Sequence, residues 1–421
     1  MSKKLLIGAI SVLFYLGGTG LFYLSSILLL GAEGFGSFMA ILAYSTFCGQ
    51  LACFGIDNRN LLTIVDAGFN NTKIFTFYLF KLIKPLFLTL AISIYFAVNF
   101  FNYDNLSSLF IITVLITYLP LSSLIQIQYL VANRGNLKLI WFAIQPWIKS
   151  LAVILCIYFI NENIQTIDLK INYLKWLMAF ILLITIFTVI IFTFVFFDKL
   201  FPSSTNPEIE YNENKYNQTV YFALDHINFH SVLSLTLPVS ALVLTNFKTS
   251  SFAFAYSLYT FPYLLFFMLW QQLYHKQFTK LIVNKRVLYA SKLFGKIQNN
   301  LIFPLSLLFL TFAFLILPNI LFMFNIEFES FKLILLFLSI SIIPSMLLVQ
   351  QNTMINSLGL IRRKSIIAAL ITVIYFISLP LVATYYSSEG IAIFHSLFII
   401  IRFAIFNQLI NIYIKSTRTI V

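Results

Sequence analysis

The chain has 421 residues, of which 60% are hydrophobic and only 10% are Asp, Glu, Lys or Arg. Its mean hydropathy is +0.92, whereas soluble domains are about 45–50% apolar and about 25% charged. Because the polar residues are too few to cover a surface in water, the composition excludes a soluble protein and indicates an integral membrane protein.

Long apolar runs predict membrane-spanning helices, because a helix needs about 20 apolar residues to cross roughly 30 Å of hydrocarbon. Only helices and closed barrels satisfy their backbone hydrogen bonds in lipid, and barrels show short alternating segments instead of long runs. The sequence contains twelve such runs, at 5–30, 37–56, 78–101, 108–131, 139–160, 173–197, 227–247, 252–273, 299–324, 331–350, 365–386 and 390–412. We therefore predict an all-α protein with about 12 transmembrane helices.

The distribution of positive charge predicts the orientation of these helices. With a cytoplasmic N-terminus, 21 of the 27 Lys and Arg residues lie on the cytoplasmic side and four on the other side, as the positive-inside rule requires. The net charge of +13 therefore faces mainly the cytoplasmic leaflet, whose anionic lipids attract basic residues. We predict cytoplasmic N- and C-termini, contact with membrane lipid and no nucleic-acid partner.

The longest polar stretch, Asp198–Tyr221, follows the sixth predicted span. We predict an N-terminal six-helix bundle at 1–197, a cytoplasmic linker at 198–222 and a C-terminal six-helix bundle at 223–421. A weak repeat, offset by 214 positions, aligns Leu28–Phe47 with Leu242–Phe261 and implies a pseudo-two-fold axis along the membrane normal. Because no stretch outside the spans is long enough for a folded catalytic domain, we predict that the protein is not an enzyme.

Two bases lie deep inside predicted spans, away from the span ends, where a charged side chain costs about 2.5–3.5 kcal/mol. Arg402 is near the middle of span twelve, and Lys149 is in span five with Gln145 one turn away on the same face. We predict that these residues face a polar cavity and contact an anionic group. The alternatives are an interhelical pair or a contact with backbone carbonyls and, for Lys149, snorkelling to the inner interface.

Two further spans carry polar stripes at helical spacing. Span four contributes Gln126, and span one contributes a stripe that Gly17, Gly18 and Gly20 interrupt; its members are Ser11, Tyr15, Thr19, Tyr23 and Ser26. Such a stripe is typical of a helix that lines a cavity and bends. Glycines also allow close helix packing, and the sequence favours the two explanations equally.

Histidines add candidate protonation sites, because their side chains titrate near neutral pH. Asp225, His226 and His230 begin span seven, and His395 precedes Arg402 by seven residues on roughly the same face. We consider them candidates for ion coupling, although an interfacial, solvated turn is the favoured interpretation for the three residues of span seven. Two histidines four residues apart, without further ligands, form a poor metal site, and no metal or cofactor is predicted.

A motif between the first two spans is similar to that of a known family. The stretch reads L-G-A-E-G-F-G-S-F from Leu30 and closes with F-G-I-D at Asp57. It resembles the corresponding loop of bacterial polysaccharide flippases, in the MATE-like multidrug/oligosaccharidyl-lipid/polysaccharide exporter superfamily. Four other stretches also fit the pattern, namely Leu237–Pro238, Phe261–Pro262, Ser357–Lys364 and Glu389–Ala392. The resemblance implies a MATE-like fold of two bundles.

The resemblance also implies a function. Such proteins move an oligosaccharide linked to undecaprenyl pyrophosphate, an O-antigen or capsule repeat unit, from the cytoplasmic to the periplasmic leaflet of the inner membrane by alternating access. Implied partners are a coupling ion (H⁺ or Na⁺), a polysaccharide polymerase and a chain-length regulator, in polysaccharide and lipopolysaccharide biosynthesis. The alternatives are a MATE-type ion-coupled small-molecule exporter, in which acidic residues suit cationic drugs, and a polytopic O-antigen polymerase or glycosyltransferase, which needs a larger outer loop.

The topology can be tested by cysteine labelling. After replacement of Cys48, Cys53 and Cys156 by serine, single cysteines placed in Asp198–Tyr221 should react with membrane-impermeant maleimide only in opened cells. Cysteines placed in Asn161–Lys170, a predicted outer loop, are the matched control and should react in intact cells. Labelling of the first set in intact cells would contradict the predicted orientation.

Overall fold

The computed structural model describes residues 3–53, 86–95, 98, 106–131, 135–159, 167–195, 217–270, 274–275, 278, 281–282, 287–323, 328 and 330–418. Within these ranges every regular element is a helix and no strand occurs. The predicted linker falls largely outside the described residues. The all-helical class predicted from the apolar runs is confirmed for the part of the chain that the structure describes.

Thirteen helices are described in chain order. They are α1 (Lys3–Cys53), α2 (Leu86–Tyr95), α3 (Leu106–Val131), α4 (Gly135–Phe159), α5 (Ile167–Val195), α6 (Asn217–Ala241), α7 (Asn246–Leu269), α8 (Val287–Ile297), α9 (Phe303–Thr311), α10 (Leu317–Met323), α11 (Phe331–Ser339), α12 (Ile342–Ser357) and α13 (Ile361–Arg418). Two π-helical segments, Gln298–Ile302 and Phe312–Ile316, join α8 to α9 and α9 to α10. The ninth predicted run is therefore one nearly continuous helical stretch.

Seven helical segments within the described residues are long and apolar enough to cross a membrane; α1 supplies two of them, Leu13–Gly31 and Gly34–Cys53, and the stretch Lys292–Met323 counts as one. The number is eight if α11 and α12, which meet at 41°, form one bent span. The helices at the seventh and eighth predicted runs, α6 and α7, have 25 and 24 residues but are not among the seven. Polar residues such as Ser250 and Ser257 lower the mean hydropathy of α7, although their side chains are buried in the protein. The count of twelve spans stays a prediction.

Two long helices each contain a single backbone break. The break in α1 is at Gly31 (φ 72°, ψ 172°), and the break in α13 is at Ser387 (φ 59°, ψ −157°). As one unbroken helix, the 58 residues of α13 would extend about 87 Å, far beyond the hydrocarbon thickness. Both breaks fall where a predicted run ends, and the glycine of the motif beginning at Leu30 adopts a positive φ that other residues rarely take.

The chain divides into two compact units. One is Ala9–Pro238, and the other consists of Met1–Gly8 with Val239–Val421. In the first unit α3, α4 and α5 pack on one another; in the second α7 packs on α11 and α12, and α13 packs on α7, α11 and α12. The boundary lies within α6 at Pro238, whereas the sequence predicts a linker at 198–222, and the division into two six-helix bundles stays a prediction.

Close packing of α1 on α4 explains one glycine of the first predicted span. The Trp147 indole donates a hydrogen bond to the Phe14 carbonyl at 2.7 Å, and the Ser150 hydroxyl donates to the Gly18 carbonyl at 2.7 Å. A Cβ atom at Gly18 would lie 2.6 Å from Cδ1 and 2.9 Å from the backbone nitrogen of Trp147. Since α1 bends at Gly31 and not at these glycines, close packing is the explanation that fits Gly18.

This contact predicts the effect of a single methyl group. Gly18→Ala should lower the thermal midpoint of the purified protein, because overpacking against the Trp147 backbone costs about 1–3 kcal/mol. Gly20→Ala is the matched control on the same helix, since a Cβ there meets no atom within 4 Å. Equal midpoints for the two variants would contradict the described α1–α4 packing.

Candidate functional site

Polar side chains of α3 and α4 meet inside the first unit. The Gln145 amide donates a hydrogen bond to the Ser122 hydroxyl. The Lys149 ammonium lies 5.0 Å from the centre of the Tyr118 ring, a distance typical of a cation–π interaction. Tyr118 is 3% exposed, and its hydroxyl has no hydrogen-bond partner among the described residues. Lys149 and Gln145, both predicted site residues, therefore contact side chains of the fourth predicted span.

Residues of α1 lie beside this group. The Tyr15 ring stacks on Phe142 of α4, with ring centres 5.0 Å apart, and Tyr15 is within electrostatic range of Tyr118. The Thr19 hydroxyl is buried and donates to the Tyr15 carbonyl at 2.9 Å, so its own helix satisfies it. Gln126 is half-buried on α3, one turn beyond Ser122. The structure thus brings Tyr15 near Tyr118, whereas the Thr19 hydroxyl is bonded to the backbone of its own helix.

The histidines of α6 are not on a solvated turn. His226 is only 4% exposed, and its Nε2 atom is 3.1 Å from Oε1 of Gln50 on α1. The rings of His226 and His230 are 4.3 Å apart, and Asp225 is half-buried. The favoured expectation of an interfacial, solvated turn is therefore wrong for His226, because α6 begins well before the apolar run and packs this side chain inside the unit. No three potential metal ligands cluster within the described part of the chain.

Arg402 is deeply buried in the second unit. Its side chain is 3% exposed, and the guanidinium carbon lies 5.5 Å from the centre of the Phe406 ring on the next turn of α13. The guanidinium is also within electrostatic range of the Tyr263 hydroxyl on α7. The packing of α13 against α7 therefore holds this positive charge in the interior of the unit.

Glu389, the carboxylate of this unit that the structure describes, lies far from Arg402 along α13. Between Val239 and Val421 the sequence has three carboxylates, Glu327, Glu329 and Glu389. Glu389 accepts a hydrogen bond from the Ser388 hydroxyl at 3.2 Å and precedes Arg402 by thirteen residues, about 20 Å along a helix. Ser330, which directly precedes α11, also bonds to the Glu389 carboxylate. Among the described residues of this unit, the Glu389 carboxylate therefore lies well away from Arg402 along the helix.

His395 lies at the centre of three tyrosines, which we call the tyrosine cage. The ring centres of Tyr256, Tyr259 and Tyr375 are 5.2, 5.5 and 6.0 Å from that of His395, and each ring is steeply inclined to the imidazole. The Nδ1 atom of His395 is 2.9 Å from the Tyr375 hydroxyl. The side chain is fully buried, and Nε2 has no hydrogen-bond partner among the described residues.

Serine hydroxyls fix the position of this cage. Ser341, between α11 and α12, donates to the Tyr259 hydroxyl at 3.0 Å and lies 3.1 Å from the Ser396 hydroxyl. Ser396 donates to the Phe337 carbonyl at 2.7 Å. These hydrogen bonds connect α7, α11 and α13 at the level of His395, so the cage is held from three sides.

Lys364 is a buried base in the first turn of α13. Its side chain is fully buried, and its ammonium donates a hydrogen bond to Oδ1 of Asn356 at 3.1 Å. Gly359 takes a positive φ of 76° and folds the start of α13 back onto α12. Its neighbours Arg362 and Arg363 are exposed. The sequence Arg-Arg-Lys does not by itself show which of the three side chains is buried. The Asn356 amide, eight residues before Lys364, could have indicated a partner for it.

Two glutamines of α12 were also missed. Gln350 and Gln351 are 0% and 1% exposed. Neither amide atom of Gln350 has a hydrogen-bond partner among the described residues, and the adjacent Thr353 accepts a hydrogen bond from the Trp270 indole at 2.9 Å. The run Q-Q-N-T within an apolar stretch was the signal, since polar side chains at membrane depth usually face the protein interior.

Neither a protein-family model nor a curated protein sequence matches the chain. Solved structures of similar fold include an inward-facing multidrug resistance MATE family transporter of the MOP superfamily, 13% identical with a TM-score of 0.60 over 99% of this chain and 96% of that one. An outward-facing structure of such a transporter is 14% identical with a TM-score of 0.60, covering 98% and 96%. A MOP superfamily transporter from Pyrococcus furiosus, whose reversed pocket polarity suggests a different function, is 13% identical with a TM-score of 0.60, covering 97% and 96%.

At these identities the likeness is one of fold, and it extends over nearly the whole chain. The chain therefore has the fold of MATE family transporters, as the motif at Leu30 implied. With its long apolar helices it is a multi-pass membrane protein. The polysaccharide specificity, the inner-membrane location and the roles of the site residues stay predictions.

Burial of Lys364 leads to a stability prediction. Lys364→Met should lower the thermal midpoint, because it leaves the Asn356 amide without its charged donor, and hydrogen bonds to charged groups contribute about 1.5–3 kcal/mol. Arg363→Met, next along the chain but exposed, should change stability by less than about 0.5 kcal/mol. If both variants melt together, the buried contact has no role in stability.

Proposed function

We propose that this protein is an exporter of the MATE fold that carries an anionic substrate across the membrane by alternating access. The fold supports the transport class, because its solved neighbours are named as transporters in inward-facing and outward-facing conformations. Alternating access requires two such states around one binding region.

The buried guanidinium of Arg402 is the observation that carries the substrate class. An arginine in the middle of a spanning helix costs about 2.5–3.5 kcal/mol, and Glu389, the described carboxylate of its unit, lies about 20 Å away along the helix. Lys149, held against Tyr118 in the other unit, adds a second interior cation. An anionic group with oxygen acceptors matches these donors, and arginine suits phosphate because it can bind two oxygens at once.

The narrower form of this proposal is a flippase for an oligosaccharide linked to undecaprenyl pyrophosphate, moved from the cytoplasmic to the periplasmic leaflet. The motif at Leu30–Asp57 supports it, and so does the chemistry of a diphosphate, which places two negative groups next to an uncharged sugar. Tyrosines near Lys149 and Arg402 offer flat faces on which sugar rings can pack.

The second candidate is an ion-coupled exporter of small molecules. The names of the structural neighbours favour it, since they are multidrug resistance transporters. The interior cations of this chain then indicate an anionic small molecule in place of a cationic drug. One neighbour's reversed pocket polarity is in keeping with substrate charge varying within the fold.

The substrate can be assigned by deleting the gene and following two cargoes in the source cells. Under the flippase proposal the deletion should cause lipid-linked oligosaccharide to accumulate on the inner leaflet and surface polysaccharide to disappear. Complementation with Arg402→Gln should restore about tenfold less surface polysaccharide than wild type, or still less, at equal membrane abundance, because loss of a charged hydrogen bond costs about 1.5–3 kcal/mol. Arg363→Gln, an exposed arginine, is the matched control and should complement fully.

The outcomes separate the candidates. Normal surface polysaccharide in the deletion strain, together with retention of an anionic dye, would replace the flippase by a small-molecule exporter. Full complementation by Arg402→Gln would remove Arg402 from the site. Retention of neither cargo in the deletion strain would overturn the exporter proposal.

A further inference from the structure

The amide group of Gln350 on α12 is buried without a hydrogen bond to any described residue. Its side chain is 0% exposed, and neither Oε1 nor Nε2 has a partner in the part of the chain that the structure describes. Buried polar atoms in folded proteins are nearly always bonded, because an unbonded one has lost its hydration without compensation. An apolar side chain would fill this place at lower cost, so helix packing alone does not account for a glutamine here.

Contacts between α12 and α7 fix the level at which Gln350 lies. Near the start of α12, the Ser345 hydroxyl bonds to the Tyr259 hydroxyl of α7. Eight residues later, Thr353 accepts a hydrogen bond from the Trp270 indole at 2.9 Å. The two helices therefore run side by side in the same direction. Gln350 precedes Thr353 by one turn, which places it about 5 Å before the level of Trp270.

Arg402 lies at nearly the same level on α13. The rings of His395 and Tyr259 are 5.5 Å apart, and seven residues later Arg402 is within electrostatic range of the Tyr263 hydroxyl. Helix α13 thus also follows α7 in the same direction. Tyr263 precedes Trp270 by seven residues, about 10 Å, so the levels of Arg402 and Gln350 differ by about one helical turn.

The chemistry of a carboxamide indicates what can bind Gln350. Its NH₂ group donates and its oxygen accepts, and the two lie side by side. A pair of neighbouring hydroxyl groups is complementary, because each hydroxyl both donates and accepts a hydrogen bond. A sugar ring presents such pairs, whereas an alkyl or aromatic ring does not. An uncharged amide also provides no opposite charge for an ionised group.

We propose that Gln350 forms a subsite for an uncharged, hydroxyl-bearing group, such as a sugar ring, in a substrate whose anionic group binds Arg402. The inference rests on the proposed anionic substrate and adds the chemistry of its uncharged part. Because the amide is fully covered in the described conformation, the hydroxyls reach it in another state of the alternating-access cycle. The free energy that the unbonded amide costs in the described state then favours the substrate-bound state.

Two phosphodiesters with the same charge test the subsite. Butyl glucosyl phosphate and butyl cyclohexyl phosphate each carry one negative charge and a six-membered ring, but only the glucosyl ring bears hydroxyls. Both are titrated into the full-length protein in lipid nanodiscs, with empty nanodiscs as the reference. Wild type should prefer the glucosyl compound, and Gln350→Met should lower that preference about tenfold, because hydrogen bonds to the amide are lost. Gln408→Met, at an exposed position of α13, is the matched control and should keep the wild-type preference.

Thermal melting without ligand separates this role from a structural one. Gln350→Met should melt at a higher temperature than wild type, because an apolar side chain of similar volume replaces an unbonded buried amide. A lower midpoint would mean that the amide is bonded in the empty protein, for example to a buried water, and would overturn the inference.

The binding results distinguish failure of this inference from failure of the proposed function. An unchanged preference in Gln350→Met, or equal binding of the two compounds by wild type, would overturn the subsite; the anion site would stand if Arg402→Gln abolished binding of both compounds. Absence of binding to wild type, or equal binding by Arg402→Gln and wild type, would refute the anion site and the subsite together.

Discussion

The structure depends on one constraint: a polar group on a membrane helix must find its partner in the protein, because lipid offers none. Most hydroxyls meet it locally by donating to the carbonyl four residues earlier, as Ser45, Thr113 and Thr185 do at 2.7–2.9 Å. Such hydroxyls need no partner on another helix. Polar contacts between helices are therefore few, and they identify the places where the fold depends on particular side chains.

Those interhelical contacts fall into two kinds. Some are fully satisfied and join helices, such as Ser150 with Gly18 and Lys364 with Asn356. Other buried groups have no hydrogen-bond partner in the part of the chain that the structure describes, such as the Tyr118 hydroxyl, the Gln350 amide and Nε2 of His395. The first kind stabilises a hairpin or a helix pair. The second kind is expected where a protein exchanges partners during its working cycle, and one example, Tyr118, lies against the interior cation Lys149.

The sequence was sufficient for features set by local patterns. Apolar runs predicted helices, and the breaks at Gly31 and Ser387 fall at run ends. Isolation in a hydrophobic run singled out Arg402, which is indeed buried. Contacts between distant residues were beyond such patterns: Ser341 and Tyr259 are 82 positions apart, and the cage needs tyrosines from two helices. The burial of Lys364 could not be predicted, because a run of three basic residues does not show which side chain folds inward. The burial of His226 could not be predicted because its partner Gln50 lies 176 positions away.

The turn at Ser387 has a mechanical consequence. Its φ of 59° with ψ of −157° is a region of backbone space that is nearly restricted to glycine, and occupying it costs about 1–3 kcal/mol. Helix begins again directly after this residue, as it does after Gly31, so a single residue connects the two helices of each pair. A displacement of one helix of such a pair must carry the other with it. The two helices of each pair are therefore expected to move together as a rigid body. A large conformational change is then expected at longer connections between helices.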